Sequence, residues 1–229
     1  WYAVLFPGVI SGQIIDRGNE IKNISNIKWP ESLTFLDLSG NKITNIDNIH
    51  FPEKLNEIRL NKNEIAEINN FTILSNWRTI NLENNDISKI TGLKFEPTTK
   101  TRYLQLSYNQ ITNFVGVDWT NSLIEELDIA HNNLSTLENL PTDLEILVAN
   151  NNKLSDISNV NWNALPIDSL DLACNQIEVV NNIEWNSHLR YLILSYNHIS
   201  DISSLRFTSS LDALELAGNN ISDLSVFSN

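Results

Sequence analysis

Leu33-x-x-Leu36-x-Leu38-x-x-Asn41-x-Ile43 decides the fold, because the pattern comes back. It returns as Leu55-x-x-Ile58-x-Leu60-x-x-Asn63-x-Ile65, and again as Leu189-x-x-Leu192-x-Leu194-x-x-Asn197-x-Ile199. Its asparagine recurs at Asn19, Asn41, Asn63, Asn85, Asn109, Asn132, Asn152, Asn175, Asn197 and Asn219, with spacings of 20 to 24 residues. A unit of that size cannot bury its own apolar side, so stability has to come from stacking neighbours into a solenoid. Within each unit the second and third marked apolar positions alternate with outward ones, as a strand with one buried face requires. The asparagine stands where the chain leaves the strand. Buried there, its amide is expected to bond backbone groups of its own and the neighbouring coil.

After the asparagine, apolar residues follow at +2, +5 and +8, as in Ile43, Ile46 and Ile49 or Ile199, Ile202 and Leu205. A spacing of three suits extended or 3₁₀-like segments better than long α-helices. An aromatic commonly comes two residues later: Trp29, Phe51, Phe95, Trp119, Trp162, Trp185 and Phe207. These rings are expected to fill the wider back of each coil, as large aromatics mainly pack.

At this point the chain resembles the leucine-rich-repeat family across nearly its whole length. The resemblance implies an α/β-type repeat solenoid, mostly β: a curved arc with a parallel concave sheet and extended or 3₁₀ convex segments. Residues 1–32 read as an N-terminal cap and degenerate first repeat, with Asp16 at a position that is apolar elsewhere. Residues 33–229 read as nine repeats continuous with it, in a single solenoid domain. The apolar start Trp1–Ile10 lacks a basic leader and contains Pro7 and Gly8, so it does not read as a signal peptide. With no Met in the sequence, the chain is expected to be a piece of something longer or a mature form.

Composition narrows the partners. A net charge of −13, from 28 acidic and 15 basic residues, repels nucleic acid and anionic lipid and favours a protein or peptide, a basic one included. No apolar run reaches the roughly 18 residues needed to cross a bilayer, so any membrane attachment belongs to segments outside the chain. The lone Cys174 excludes an internal disulfide framework.

On the expected concave face the outward side chains fall into columns. One runs Ile15, Asp37, Arg59, Asn81, Gln105, Asp128, Val148, Asp171, Ile193, Glu215. The residues two before it include Tyr103, Glu126, Ile146 and Tyr191; those three after it include Tyr108, His131, Cys174 and Tyr196. Exposed tyrosines and aliphatics on a rigid sheet make interface anchors. The partner-binding set is therefore Tyr103, Tyr108, Glu126, Asp128, His131, Ile146, Val148, Asp171, Tyr191, Ile193 and Tyr196. Charge divides along the face: Arg59, Lys62, Arg78 and Arg102 in the first half, and Glu125, Glu126, Asp128, Glu145, Asp168, Asp171, Asp212 and Glu215 in the second.

Catalytic patterns are missing from the sequence: there is no Gly-rich phosphate loop, no zinc-spaced Cys or His pair and no nucleophile elbow. Neither an enzyme nor a cofactor is expected. Glycosylation sequons occur at Asn23, Asn70, Asn133 and Asn220, no more than the abundance of Asn, Ser and Thr supplies by chance. Three kinds of leucine-rich-repeat protein fit the resemblance. One is the ligand-binding ectodomain of a receptor-like kinase at the cell surface, which we expect. The others are a cytoplasmic scaffold similar to phosphatase-regulating repeat proteins and a bacterial adhesin of the internalin type. The last shares the phrase Asn220-Ile221-Ser222-Asp223-Leu224. The chain lacks the Gly-x-Ile-Pro back of plant receptors and the cystine caps of many secreted repeats.

Overall fold

The computed structural model describes residues 12–228. The apolar start of the expected cap therefore lies outside the described residues. Twelve three-residue strands follow in chain order: β1 (Gln13–Ile15), β2 (Phe35–Asp37), β3 (Glu57–Arg59), β4 (Phe71–Ile73), β5 (Thr79–Asn81), β6 (Leu93–Phe95), β7 (Tyr103–Gln105), β8 (Glu126–Asp128), β9 (Ile146–Val148), β10 (Ser169–Asp171), β11 (Tyr191–Ile193) and β12 (Ala213–Glu215). All but β4 and β6 join one parallel sheet in sequence order, one strand per coil.

Register follows the repeat. Leu36 stands beside Ile58, and the line continues through Ile80, Leu104, Leu127, Leu147, Leu170, Leu192 and Leu214. From Leu36 to Leu192 these middle residues are fully buried, while the residues on either side of them in each strand are half-buried or exposed, Asp37 excepted. β1 pairs with β2 in the same register, so the degenerate first coil still supplies a strand.

The asparagines form a ladder beneath the sheet. Asn63 Nδ2 donates to Leu60 O in its own coil and to Leu38 O in the preceding one, each at 3.0 Å. Its Oδ1 accepts the Ile43 N–H at 3.0 Å. The pattern is repeated at Asn109, whose Nδ2 reaches Leu82 O and Leu106 O and whose Oδ1 accepts from Ile87, and it runs on to Asn219. One side chain thus satisfies three backbone groups at the coil junction, and its removal should cost about 1–3 kcal/mol. Asn19 departs from the pattern: it is exposed and donates to the side chain of Asp16.

The convex side is extended or 3₁₀, as the spacing of three predicts. β4 and β6 pair there as a separate two-stranded sheet, and short 3₁₀ turns occupy Trp162–Ala164 and Ser225–Phe227. No α-helix occurs among the described residues. Gly92 permits the close approach beside β4 and β6, because a Cβ at this position would sit 1.9 Å from the Asn69 carbonyl. Trp29, Phe51, Phe95, Trp162 and Trp185 are buried, as packing residues should be; Trp119 and Phe207 are half-buried. Trp77 replaces the first leucine of its coil and is accommodated by its neighbours. Its ring meets Phe51 and Phe71 at 5.6 and 5.8 Å, and the next coil places the smaller Thr101 beside it, whose hydroxyl donates to Trp77 O.

Candidate interaction face

Each strand lifts its first and third side chains from the sheet, giving two rows about 6.8 Å apart with neighbours about 4.8 Å apart along each row. The pairing sets Tyr103, Glu126, Ile146, Ser169 and Tyr191 side by side in one row. Gln105, Asp128, Val148, Asp171 and Ile193 share the other. The buried state of Leu192 and Leu194, against exposed Tyr191 and half-buried Ile193, confirms the inside-out phase read from the sequence. Tyr103, Tyr108, Tyr191 and Tyr196 expose 43%, 48%, 39% and 64% of their surfaces. Glu126, Asp128, His131, Ile146, Val148 and Asp171 are half-buried.

The column of Tyr108, His131 and Tyr196 has a feature that the sequence reading missed. Every residue in it from Gly18 to Gly218 adopts a positive φ, with Tyr108 at 55°, His131 at 52° and Tyr196 at 58°. The column needs the left-handed conformation because the chain turns sharply out of the strand here. Glycine adopts it freely and Asn tolerates it, whereas a side chain such as Tyr costs about 1 kcal/mol or more. The sequence signal was present in Gly18, Gly40 and Gly218 with Asn84 and Asn151 at one phase. Tyr108 and His131 stack at 4.2 Å with their planes 10° apart. The Tyr196 ring lies over the next coil, where a Cβ on Gly218 would come within 2.5 Å of it.

A further column precedes the strands: Arg78, Arg102, Glu125, Glu145, Asp168, Arg190 and Asp212. Arg102 pairs with Glu125. Arg190 holds Asp168 with two bonds, and its guanidinium lies 5.2 Å from the Tyr191 ring centre. That bond and charge raise the Arg190 pKa well above its ordinary value. Arg190 was absent from the predicted set, although its place one residue before Tyr191 marks it as a neighbour.

The acidic residues of the face are not equivalent. Asp128 and Asp171 each turn one oxygen back to accept the N–H two residues on, from Ala130 and Ala173 at 3.0 Å. Asp171 also accepts from Asn150 at 2.7 Å. Asp37 corrects the expectation of a solvent-facing column, for it is only 2% exposed. It accepts bonds from the Ser39 N–H and hydroxyl, and Arg59 covers it at 3.9 Å while also binding Glu57. A hollow of about 580 Å³ lies over this first part of the sheet, lined by Arg17, Arg59, Lys62 and Asn81 among others.

Of the sequon asparagines, Asn23, Asn70 and Asn220 are exposed and Asn133 is half-buried. The Asn23 side chain closes a turn onto Ser25, and Asn70 donates to Asn48 and accepts from Lys94. Among the described residues, no group of three His, Cys, Asp or Glu side chains is placed to hold a metal ion. No described helix is long and apolar enough to cross a membrane.

Residues 187–229 match a family model described as Leucine Rich repeats (2 copies), and residues 30–46 match one described as Leucine Rich repeat. The fold is the leucine-rich-repeat solenoid. An internalin, InlF, from Listeria monocytogenes has this solenoid with a TM-score of 0.69 at 23% identity, over 94% of this chain and 70% of its own. YopM from Yersinia enterocolitica is similar at 0.66 and 22%, over 95% and 49%. A chain of the Toll–Spatzle complex of Drosophila gives 0.73 at 22%, over 91% and 31%. The chain thus spans about half the length of YopM and under a third of the Toll-complex chain. No curated protein matches the sequence.

Proposed function

We propose that this leucine-rich-repeat solenoid recognises another protein or peptide through the outward side chains of β7 to β12. In its finer form, the reading is that of the ligand-binding ectodomain of a receptor-like kinase at the cell surface. The observation that carries the recognition role is Tyr108 and Tyr196 in left-handed backbone, solvent-exposed, at a position where Gly18, Gly40, Gly218, Asn84 and Asn151 meet the same backbone demand with little or no strain. Neither burial nor backbone geometry calls for tyrosine there, whereas contact with a partner does. Support also comes from the similar chain in the Toll–Spatzle complex and from the exposure of Asn23, Asn70 and Asn220, open to glycans. The shared phrase at Asn220–Leu224 and the likeness to InlF favour a second reading, an internalin-type adhesin.

Site-specific photo-crosslinking tests the recognition role. A crosslinking amino acid in place of Val148 or Tyr191 should trap the partner in extracts of the source organism. The same group at Val179, exposed on the opposite side of the coil, should not. Equal capture from both sides, or capture only from Val179, overturns the proposal. The sequence beyond residue 229 separates the finer readings: a membrane span followed by a kinase pattern supports the receptor, and a wall-anchoring motif supports the adhesin.

A further inference from the structure

Along the solenoid axis the outward residues alternate by strand. β7 brings Tyr103 and Tyr108, β9 brings Ile146 and Val148, and β11 brings Tyr191, Ile193 and Tyr196. Between and beyond them, β8 carries Glu126 and Asp128, β10 carries Asp171, and β12 carries Glu215. Glu126, Asp128, Glu145 and Glu215 form no ion pair among the described residues, unlike Glu125 and Asp168. The face thus offers apolar stations about 9.6 Å apart with unmatched negative charge midway.

We infer that the occupant is an α-helix lying along the solenoid axis, presenting a face on which apolar and basic side chains alternate every three to four residues. This rests on the recognition role proposed above and adds the partner's shape and chemistry. The width agrees. A three-residue strand spans about 10 Å, the diameter of a helix with its side chains. Tyr108, His131 and Tyr196 rim one side, and Glu145, Arg190 and Asp212 rim the other. The pitch agrees as well. Same-face helix residues three to four apart rise about 5 Å, matching successive strands, so apolar residues at i and i+7 meet β7 and β9 while a basic residue between them meets β8. An extended peptide repeats its face every 6.8 Å or so and falls out of step with strands about 4.8 Å apart. The charge balance agrees: net −13 on the chain and unpaired carboxylates on the inner strands call for Lys or Arg at the alternate stations.

The test uses a fluorescently labelled peptide of roughly 21 residues, built from Ala and Gln with Leu and Lys alternating on one helical face. One control moves the lysines to the opposite face, and another carries a central Pro to break the helix. Anisotropy titration against the full chain should show the designed helix binding at least about tenfold tighter than either control. Glu126→Lys with Glu145→Lys should weaken it about tenfold, as should Tyr191→Ala, with unchanged melting curves showing that the variants are folded. Equal binding of the Pro peptide, weakened by the same substitutions, overturns the helix and leaves the recognition face standing. Equal binding of the control with displaced lysines overturns the alternation. Binding of the helix that ignores all three substitutions overturns the recognition face as well. No binding by any peptide overturns the helix inference.

Discussion

The two ends of the sheet share one core and treat their charges differently. In the first, around β2 and β3, Arg59 bridges Glu57 and covers Asp37, which is itself tied to Ser39. In the second, from β7 to β12, Arg102 pairs with Glu125 and Arg190 with Asp168, but Glu126 and Glu215 have no ion pair among the described residues, and tyrosines occupy strained backbone beside them. Inward residues repeat almost unchanged from coil to coil because every coil has the same neighbours to fill. Outward residues are free to differ, so the two halves can carry different charge patterns on one core. The first is closed by its own ion pairs, and the second only in part.

Truncating the shared core should have the largest effect. Leu36→Ala and Leu147→Ala, both fully buried, should each lower unfolding free energy by about 2–5 kcal/mol in urea titrations. A loss confined to one half would break the premise that both rest on one core. Next comes the charge contrast. Asp37→Ala should cost about 1–3 kcal/mol, since it orphans a partly buried N–H and hydroxyl, whereas Glu126→Ala should stay within about 0.5 kcal/mol. Equal losses in the same titration would erase the distinction. Tyr108→Gly sharpens it further: relief of backbone strain should offset the lost stacking on His131, leaving stability within about 1 kcal/mol. Helix-peptide binding should still fall about tenfold, and unchanged affinity would show that the tyrosine is not an anchor.

The smallest effect belongs to the back of the coils in the second half. Asp118, Asp156 and Asp201 have pKa values below the ordinary carboxylate range, chiefly through hydrogen bonds from Thr120, Ser158 and Ser203. A carboxylate whose pKa is depressed on folding stabilises the native state above its unfolded pKa. That contribution is lost as pH falls through the folded value. Melting temperature should therefore be flat near neutrality and decline below about pH 4. Asp156→Asn should make the acid limb of that profile shallower, and an unchanged limb would remove these turns from the account.

Much of this was legible in the chain before any coordinates. Leu36, Leu192 and Leu194 lie inside, and Tyr103 and Tyr191 outside, because a strand's period of two fixes the face once one buried position is known. The asparagine ladder followed from the need to satisfy backbone groups at each turn. What stayed hidden depends on pairs of residues about one coil apart in sequence. Burial of Asp37 needs Arg59 from the next strand, and the stacking of Tyr108 needs His131 from the next coil.

The sequence by itself determined the solenoid, its one-strand-per-coil register and which side chains look outward, since those follow from a local period repeated ten times. Only the tertiary structure decided which outward charges are neutralised and which stay unpaired. It also placed Trp77 against Phe51 and Phe71, and brought Gly92 against Asn69. The physical reason is stacking. Neighbouring coils lie about 4.8 Å apart in space but some 22 residues apart in sequence, so contacts between them appear only once the coils are laid together.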